Sequence, residues 1–169
     1  MQKPEFRFES LDKKRHDRAA FSCGTEALDH YLKQQATQDV EERVAAVIVL
    51  TPDGKTIAGY YTLSQYAVDL GGLPLAIAKK LPKYPELPAT LLGRLARSIA
   101  FRGQGIGELL LMGALKRALN HSKSIASMAV VVDAKDAKGK AFYAGYGFIE
   151  LPDHARRMFL PMATIAKMF

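Results

Sequence analysis

Three glycines fall within six residues at Arg102-Gly103-Gln104-Gly105-Ile106-Gly107, and their chemistry is that of an anion site. Glycine lets backbone N–H groups approach a bulky anion with no Cβ in the way. The run follows a strand-like stretch, Leu91–Phe101, and opens an apolar run from Glu108 to Leu115 that reads as a helix. A helix start adds unpaired N–H groups and the positive end of its dipole. Together these features imply phosphate binding. Two familiar phosphate loops fail on spacing. A P-loop needs Gly-x-x-x-x-Gly-Lys-Ser/Thr, and no Lys-Ser or Lys-Thr follows these glycines. A dinucleotide loop needs Gly-x-Gly-x-x-Gly, and counted from Gly103 the third glycine position is Glu108. The pattern that fits is Gln/Arg-x-x-Gly-x-Gly/Ala, filled by Arg102, Gly105 and Gly107. Taken alone, a plain glycine turn between strand and helix is the competing account.

The elements that must position this loop follow from periodicity. Thr25 is placed to cap a helix, with Glu26 and Asp29 in its first turn. Ala27, Leu28, Tyr31 and Leu32 recur at helical spacing, and the pattern continues to about Asp39. Arg43–Leu50 predicts a strand, Pro52-Asp53-Gly54 a turn, and Thr56–Val68 the antiparallel partner. A proline-punctuated stretch, Leu73–Pro88, holds a short helix at Leu75–Leu81. Then come the strand Leu91–Phe101, the glycine loop and a helix to about Asn120. Ser127–Asp133 has the continuous apolar character of a buried strand. A helix at Lys138–Tyr146, ended by Gly147, leads to closing strands at Phe148–Leu151 and Met158–Met162. This order is a mixed α/β layer, in which a parallel pair splaying around the loop gives a slot for a ligand.

A chain of 169 residues predicts one domain spanning 1–169. No apolar stretch approaches bilayer length, and Met-Gln-Lys-Pro-Glu-Phe-Arg lacks the apolar core of a signal peptide. The single cysteine, Cys23, excludes an internal disulfide and suits a reducing compartment. The expected location is cytoplasmic, with no membrane partner. The net charge of +7 is unevenly spread: residues 1–58 carry 9 basic and 10 acidic side chains, but residues 59–124 carry 9 and 3. That midsection includes Lys79, Lys80, Lys83, Arg94, Arg97, Arg102, Lys116 and Arg117. Such a field attracts polyanions, a phosphate-bearing ligand or a nucleic acid. A solvated surface is the bland alternative.

The glycine pattern resembles the pyrophosphate-binding motif of the GNAT N-acetyltransferase superfamily, whose loop holds acetyl-coenzyme A. A second stretch, Ala137-Lys-Gly-Lys-Ala-Phe142-Tyr143-Ala-Gly-Tyr146-Gly147-Phe148, resembles that superfamily's other hallmark. There a helix carries Phe-Tyr, followed shortly by Gly-Phe. The N-terminal half is similar to the opening of the GNAT toxins of type II toxin–antitoxin modules. Arg15-His16-Asp17-Arg18-Ala19-Ala20-Phe21-Ser22-Cys23-Gly24 leads to Leu28-Asp29-His30-Tyr31-Leu32, and Ile57–Leu63 and Leu92-Gly93-Arg94-Leu95-Ala96 match further on. One departure stands out, Arg97-Ser98 where the family has Val-Asp, and it bears on the acceptor side.

The resemblance implies a GNAT acyltransferase fold, α/β, with a mixed central sheet splayed at the acetyl-coenzyme A site and flanking helices. It implies Tyr143 as the catalytic group, its hydroxyl toward the departing sulfur. Cofactor contacts fall on Leu95, Ala96 and Arg97 of the strand, on Arg102, Gly103, Gln104, Gly105, Ile106 and Gly107, and on Phe142. Packing in the core is the bland account of Phe142 and Tyr146. The implied reaction moves acetyl from acetyl-coenzyme A to the α-amino group of an aminoacyl-tRNA, blocking translation, with no metal. Partners expected are aminoacyl-tRNA, a ribbon–helix–helix antitoxin and a second copy of the chain. Lys79, Lys80 and Lys83 are candidate contacts to the tRNA backbone.

Elementary acid–base chemistry agrees with that acceptor. An α-amine has a pKa near 8, so a useful fraction is neutral at cytoplasmic pH, whereas a lysine amine near 10.4 is about 3–4 kcal/mol harder to deprotonate. No strong base stands beside the loop in the sequence. The alternatives are an acetyltransferase for small molecules or protein N-termini, and a coenzyme A-binding protein without turnover. A Cys23–His16 nucleophilic pair lacks a third, orienting residue, and the histidines His16, His30, His121 and His154 show no metal-ligand spacing with Cys23.

Overall fold

The structure is a computed structural model that describes residues 5–152 and 154–169; part of the terminal segment read above for a signal peptide, residues 1–4, lies outside them. The elements run β1 (Arg7–Ser10), α1 (Glu26–His30), a π-helical turn (Tyr31–Gln35), α2 (Ala36–Glu41), β2 (Ala46–Thr51) and β3 (Gly59–Asp69). They continue with α3 (Leu75–Ala78), β4 (Glu86–Arg97), α4 (Ile106–His121), β5 (Ala129–Asp133), α5 (Ala137–Gly145), β6 (Ile149–Glu150), β7 (Arg157–Pro161) and α6 (Met162–Ala166). The strands form one mixed sheet in the order β1-β2-β3-β4-β5-β7-β6. β4 and β5 are parallel, while β1–β2, β2–β3, β5–β7 and β6–β7 are antiparallel.

Two compact units share these strands: Met1–Ser64 with Gly93–Ala114, and Gln65–Leu92 with Leu115–Phe169. In the first, Phe21, Tyr31, Leu32, Ala36, Val47, Val49, Ile57, Tyr60 and Ala96 form the core. Burying each of the Val, Leu, Ile and Phe side chains among them contributes about 1.5–3 kcal/mol. Gly59 lets α4 lie close on β3, because a Cβ there would stand 2.7 Å from Leu110 Cδ1 and 2.9 Å from the Ala96 carbonyl oxygen. In the second unit, Val68, Leu73, Leu87, Ala89, Ala129, Val131, Leu151 and Phe159 form a separate core.

Three expectations need correction. β1 precedes the first helix; its four residues, Arg7-Phe-Glu-Ser, are too few to carry a period of their own, and they form a strand by pairing Arg7–Ser10 with Ile48–Thr51. The strand expected at Leu91–Phe101 starts at Glu86 and ends at Arg97. Pro88 does not break it, since the ladder with β5 begins only at Thr90 and does not need the N–H that proline lacks. Ile99–Phe101 instead form a 3₁₀ turn, which Ser98 Oγ caps by accepting the Ala100 N–H at 3.2 Å. Finally, Met162 leaves the last strand and opens α6, where it and Ile165 are buried.

Candidate functional site

In the first unit the site is made of backbone. Gly103 has φ +77° and Gly105 φ +71°, left-handed values that cost a residue with a Cβ about 1–2 kcal/mol. Nothing lies within 4 Å of an ideal Cβ at either position, so the glycines are demanded by conformation and not by packing. The space beside them is open. Arg102, Gly103, Gln104 and Gly105 are exposed, whereas Ile106 is buried and anchors the start of α4. The first bond of the helix runs from the Leu109 N–H to the Gly105 carbonyl at 3.1 Å. N–H groups ahead of it have no intrahelical acceptor and form a candidate anion position at a sixteen-residue helix. This is the fit expected for a pyrophosphate: an open cradle, left-handed glycines and a helix dipole behind them.

The end of β4 supplies the second backbone element. Its parallel ladder with β5 comprises Thr90↔Val130, Leu91↔Val131 and Leu92↔Val132, and β4 then runs on to Arg97. Within Leu95-Ala96-Arg97 the side chains alternate: Ala96 is buried in the core, Leu95 and Arg97 are half-buried. Backbone groups from Gly93 onward therefore lie beyond the β5 ladder and are suited to a narrow polar arm. The Arg97-Ser98 departure is in part structural, since Ser98 is buried and caps the following turn, a task serine and aspartate both perform.

In the second unit the candidate group is a side chain. Asp136 accepts the Gly139 N–H at 2.7 Å and caps the N-terminus of α5, a signal present in the sequence as Asp-x-x-Gly and not used above. Tyr143 on this helix is half-buried, edge-to-face with Phe142 and with Phe148, both at 5.3 Å between ring centroids. Burial pushes its phenol up to about 12. The hydroxyl is thus protonated throughout the neutral range. Phe142 and Tyr146, whose bland account was core packing, are only half-buried; α5 buries none of its residues, and Phe142 meets Tyr143 and Tyr146 edge-on, each at 5.3 Å.

The remaining candidates separate. Lys79, Lys80 and Lys83 are all exposed just after α3, and Lys83 Nζ donates to the Ala78 carbonyl at 3.1 Å, so part of its role is to close that helix. His16 is buried; its Nδ1 accepts the Asp12 N–H at 2.9 Å, which leaves the proton on Nε2 for Glu9 Oε1 at 2.8 Å. Cys23 Sγ donates to the Thr25 carbonyl at 3.5 Å, while the His16 ring is engaged by Asp12 and Glu9. Among the described residues no group of histidine, cysteine and carboxylate side chains is arranged to hold a metal, and no helix is long and apolar enough to cross a membrane.

With this geometry in place, similarity to known proteins is specific. Residues 89–166, which hold the end of β4, the loop and α5, match the family described as "Acetyltransferase (GNAT) domain". The chain is 34% identical over 165 residues to "Probable toxin TacT" of Sinorhizobium fredii (strain NBRC 101917 / NGR234), covering 93% of this chain and 91% of that protein. It is 30% identical over 146 residues to the "tRNA-acetylating toxin" of Mycobacterium tuberculosis (strain ATCC 25618 / H37Rv), covering 86% of each. Its fold superposes with a TM-score of 0.88 on "AtaT complexed with acetyl-methionyl-tRNAfMet", at 29% identity over 98% of this chain and 99% of that one. An exposed glycine loop at a helix start, a strand that outruns its parallel neighbour and a half-buried tyrosine thus occur in a chain that belongs to the GNAT acetyltransferase family.

Proposed function

We propose that this chain is a toxin of a toxin–antitoxin pair that transfers acetyl from acetyl-coenzyme A to the α-amino group of an aminoacyl-tRNA. The observation that carries the donor half is the loop, where Gly103 and Gly105 hold left-handed φ beside open space at the head of α4. The acceptor half is supported by relatives of nearly full length, one a tRNA-acetylating toxin and one seen with acetyl-methionyl-tRNAfMet.

Acetyl-coenzyme A supplies the thioester; the chain's residues bind it, orient the reactants and hold a proton in place. Gly103, Gly105, Ile106 and Gly107 would hold its pyrophosphate through backbone N–H groups, with Arg102 adding charge. Backbone N–H groups of Leu95–Arg97 are suited to polarise the acyl carbonyl. Tyr143 Oη keeps its proton and offers it to developing negative charge on sulfur. With the phenol at about 12 and a thiol near 8.5, complete transfer is uphill by roughly 10³-fold, so Tyr143 acts as a hydrogen-bond donor. The acceptor α-amine, with a pKa near 8, needs no strong base.

The test is direct. Purified protein is incubated with acetyl-coenzyme A and a mixed pool of aminoacyl-tRNAs, and the aminoacyl-adenosines released by nuclease are weighed by mass spectrometry. An added acetyl group on the amino acid is expected. Acetylation of free amines or peptide N-termini, with none on aminoacyl-tRNA, would replace this reading by the broader acetyltransferase one. A ribbon–helix–helix antitoxin that relieves growth arrest on co-expression is the expected partner.

A further inference from the structure

A stacked cationic side chain stands in the first unit, on the sheet face away from the glycine loop. Arg94 on β4 places its guanidinium carbon 3.5 Å from the centroid of the Tyr31 ring. Tyr31 in turn stacks on Tyr60 at 6.3 Å and 18°, and Phe21 meets Tyr60 edge-on at 5.6 Å. The stack is held from below: Tyr31 Oη donates to Asp39 Oδ2 at 2.7 Å, and Tyr60 Oη donates to the Leu28 carbonyl at 2.7 Å. The π-helical turn at Tyr31–Gln35, closed by the Ala36 N–H on the Tyr31 carbonyl, turns both Tyr31 and Leu32 into the core. Wide turns of this kind are uncommon and concentrate at functional sites.

Arg94 itself is half-buried, and its charge is felt by the Asp39 carboxylate that receives the Tyr31 hydroxyl. Its planar fork is oriented by stacking on the Tyr31 ring. A flexible lysine would be a point charge; a stacked guanidinium is a preorganised bidentate donor that matches phosphate.

Strand alternation decides which phosphate. Gly59 faces α4, since a Cβ there would meet Leu110 and Ile106, so the next residue, Tyr60, points to the opposite face. Arg94 belongs to the stack on that opposite face. The glycine loop heads α4, so an anion on Arg94 is not the one at the loop. Resting on the acceptor reading above, we propose that Arg94 is a further substrate-binding residue that grips a backbone phosphate in the single-stranded 3′ end of the acceptor RNA. A planar guanidinium is also a surface on which an unpaired base can stack.

The experiment uses the full chain and aminoacyl-tRNA. Arg94→Lys keeps the charge and removes the fork; KM for aminoacyl-tRNA is expected to rise at least tenfold, with kcat and coenzyme A affinity within twofold of wild type. An unchanged KM in the folded variant would overturn the proposal. A structural role alone would lower the melting temperature without moving KM. Should the variant fail to fold, wild-type protein is titrated with a short oligoribonucleotide ending in CCA and with the same oligonucleotide carrying neutral methylphosphonate linkages. Loss of affinity on neutralising one terminal linkage supports the proposal, and equal affinity overturns it. If wild-type protein acetylates no aminoacyl-tRNA, the functional reading fails instead, so the two failures are distinguishable.

Discussion

The glycine loop and the tyrosine helix solve opposite problems. At residues 102–107 the proposed working groups are main-chain N–H donors, exposed and held by two left-handed glycines with open space beside them. On α5 the proposed working group is one hydroxyl, whose property comes from being buried beside Phe142 and Phe148. A backbone site survives most side-chain changes and fails when a Cβ or a charge enters it. A side-chain site fails when one atom is removed. The difference teaches where each half is vulnerable, and substitutions that respect one half should break the other.

The largest effect is expected at Tyr143. Tyr143→Phe keeps the ring and its packing and removes the donor, so kcat should fall by about 10²-fold or more while calorimetric coenzyme A binding is unchanged. Turnover within twofold of wild type would reduce the tyrosine to packing and collapse the contrast. Next comes a glycine of another kind. Gly59→Ala puts a Cβ against Leu110 and the Ala96 carbonyl, and overpacking of this sort costs about 1–3 kcal/mol. Urea unfolding should report that loss; unchanged stability would show that α4 moves away freely.

Gly105→Asp places a negative charge where the pyrophosphate is expected, and coenzyme A affinity should fall at least tenfold, about 1.4 kcal/mol. Gly105→Ala has room for its methyl group and bears only the left-handed strain, so its loss should be smaller. Equal losses for Ala and Asp would mean that backbone shape, not charge, is the whole effect. A smaller change again is expected from replacing Lys79, Lys80 and Lys83 with Ala. If these exposed lysines meet tRNA phosphates, the dependence of binding on salt should flatten by up to roughly one per contact, with coenzyme A affinity unaltered. Identical kinetics at two salt concentrations would leave them an idle surface.

The last expectation is an absence of change. Because burial raises the Tyr143 phenol to about 12, its proton is retained above the ordinary value near 10. The rate should rise with pH as the acceptor amine loses its proton and should not fall through pH 10. A descending limb near 10 would mean that the phenol titrates as an exposed tyrosine does, and that burial is not what tunes it.

What the sequence determined by itself was whatever depends on near neighbours in the chain. The spacing of Arg102, Gly105 and Gly107 before an apolar helical run predicted an anion loop, because left-handed backbone and helix-end N–H groups are local properties. Val-rich Ser127–Asp133 reads as a buried strand for the same reason, and Ala129–Asp133 form one. The tertiary structure decided what depends on distant partners. Arg7–Ser10 became a strand only by pairing with β2, and Pro88 was tolerated in β4 because the ladder to β5 starts two residues later. Tyr143 acquired its raised phenol from rings and desolvation around it, and Arg94 became a fixed fork only where Tyr31, sixty-three positions away in the chain, turned its ring beneath it. Conformation at a glycine is written in one residue; burial and stacking exist only after the chain has closed on itself.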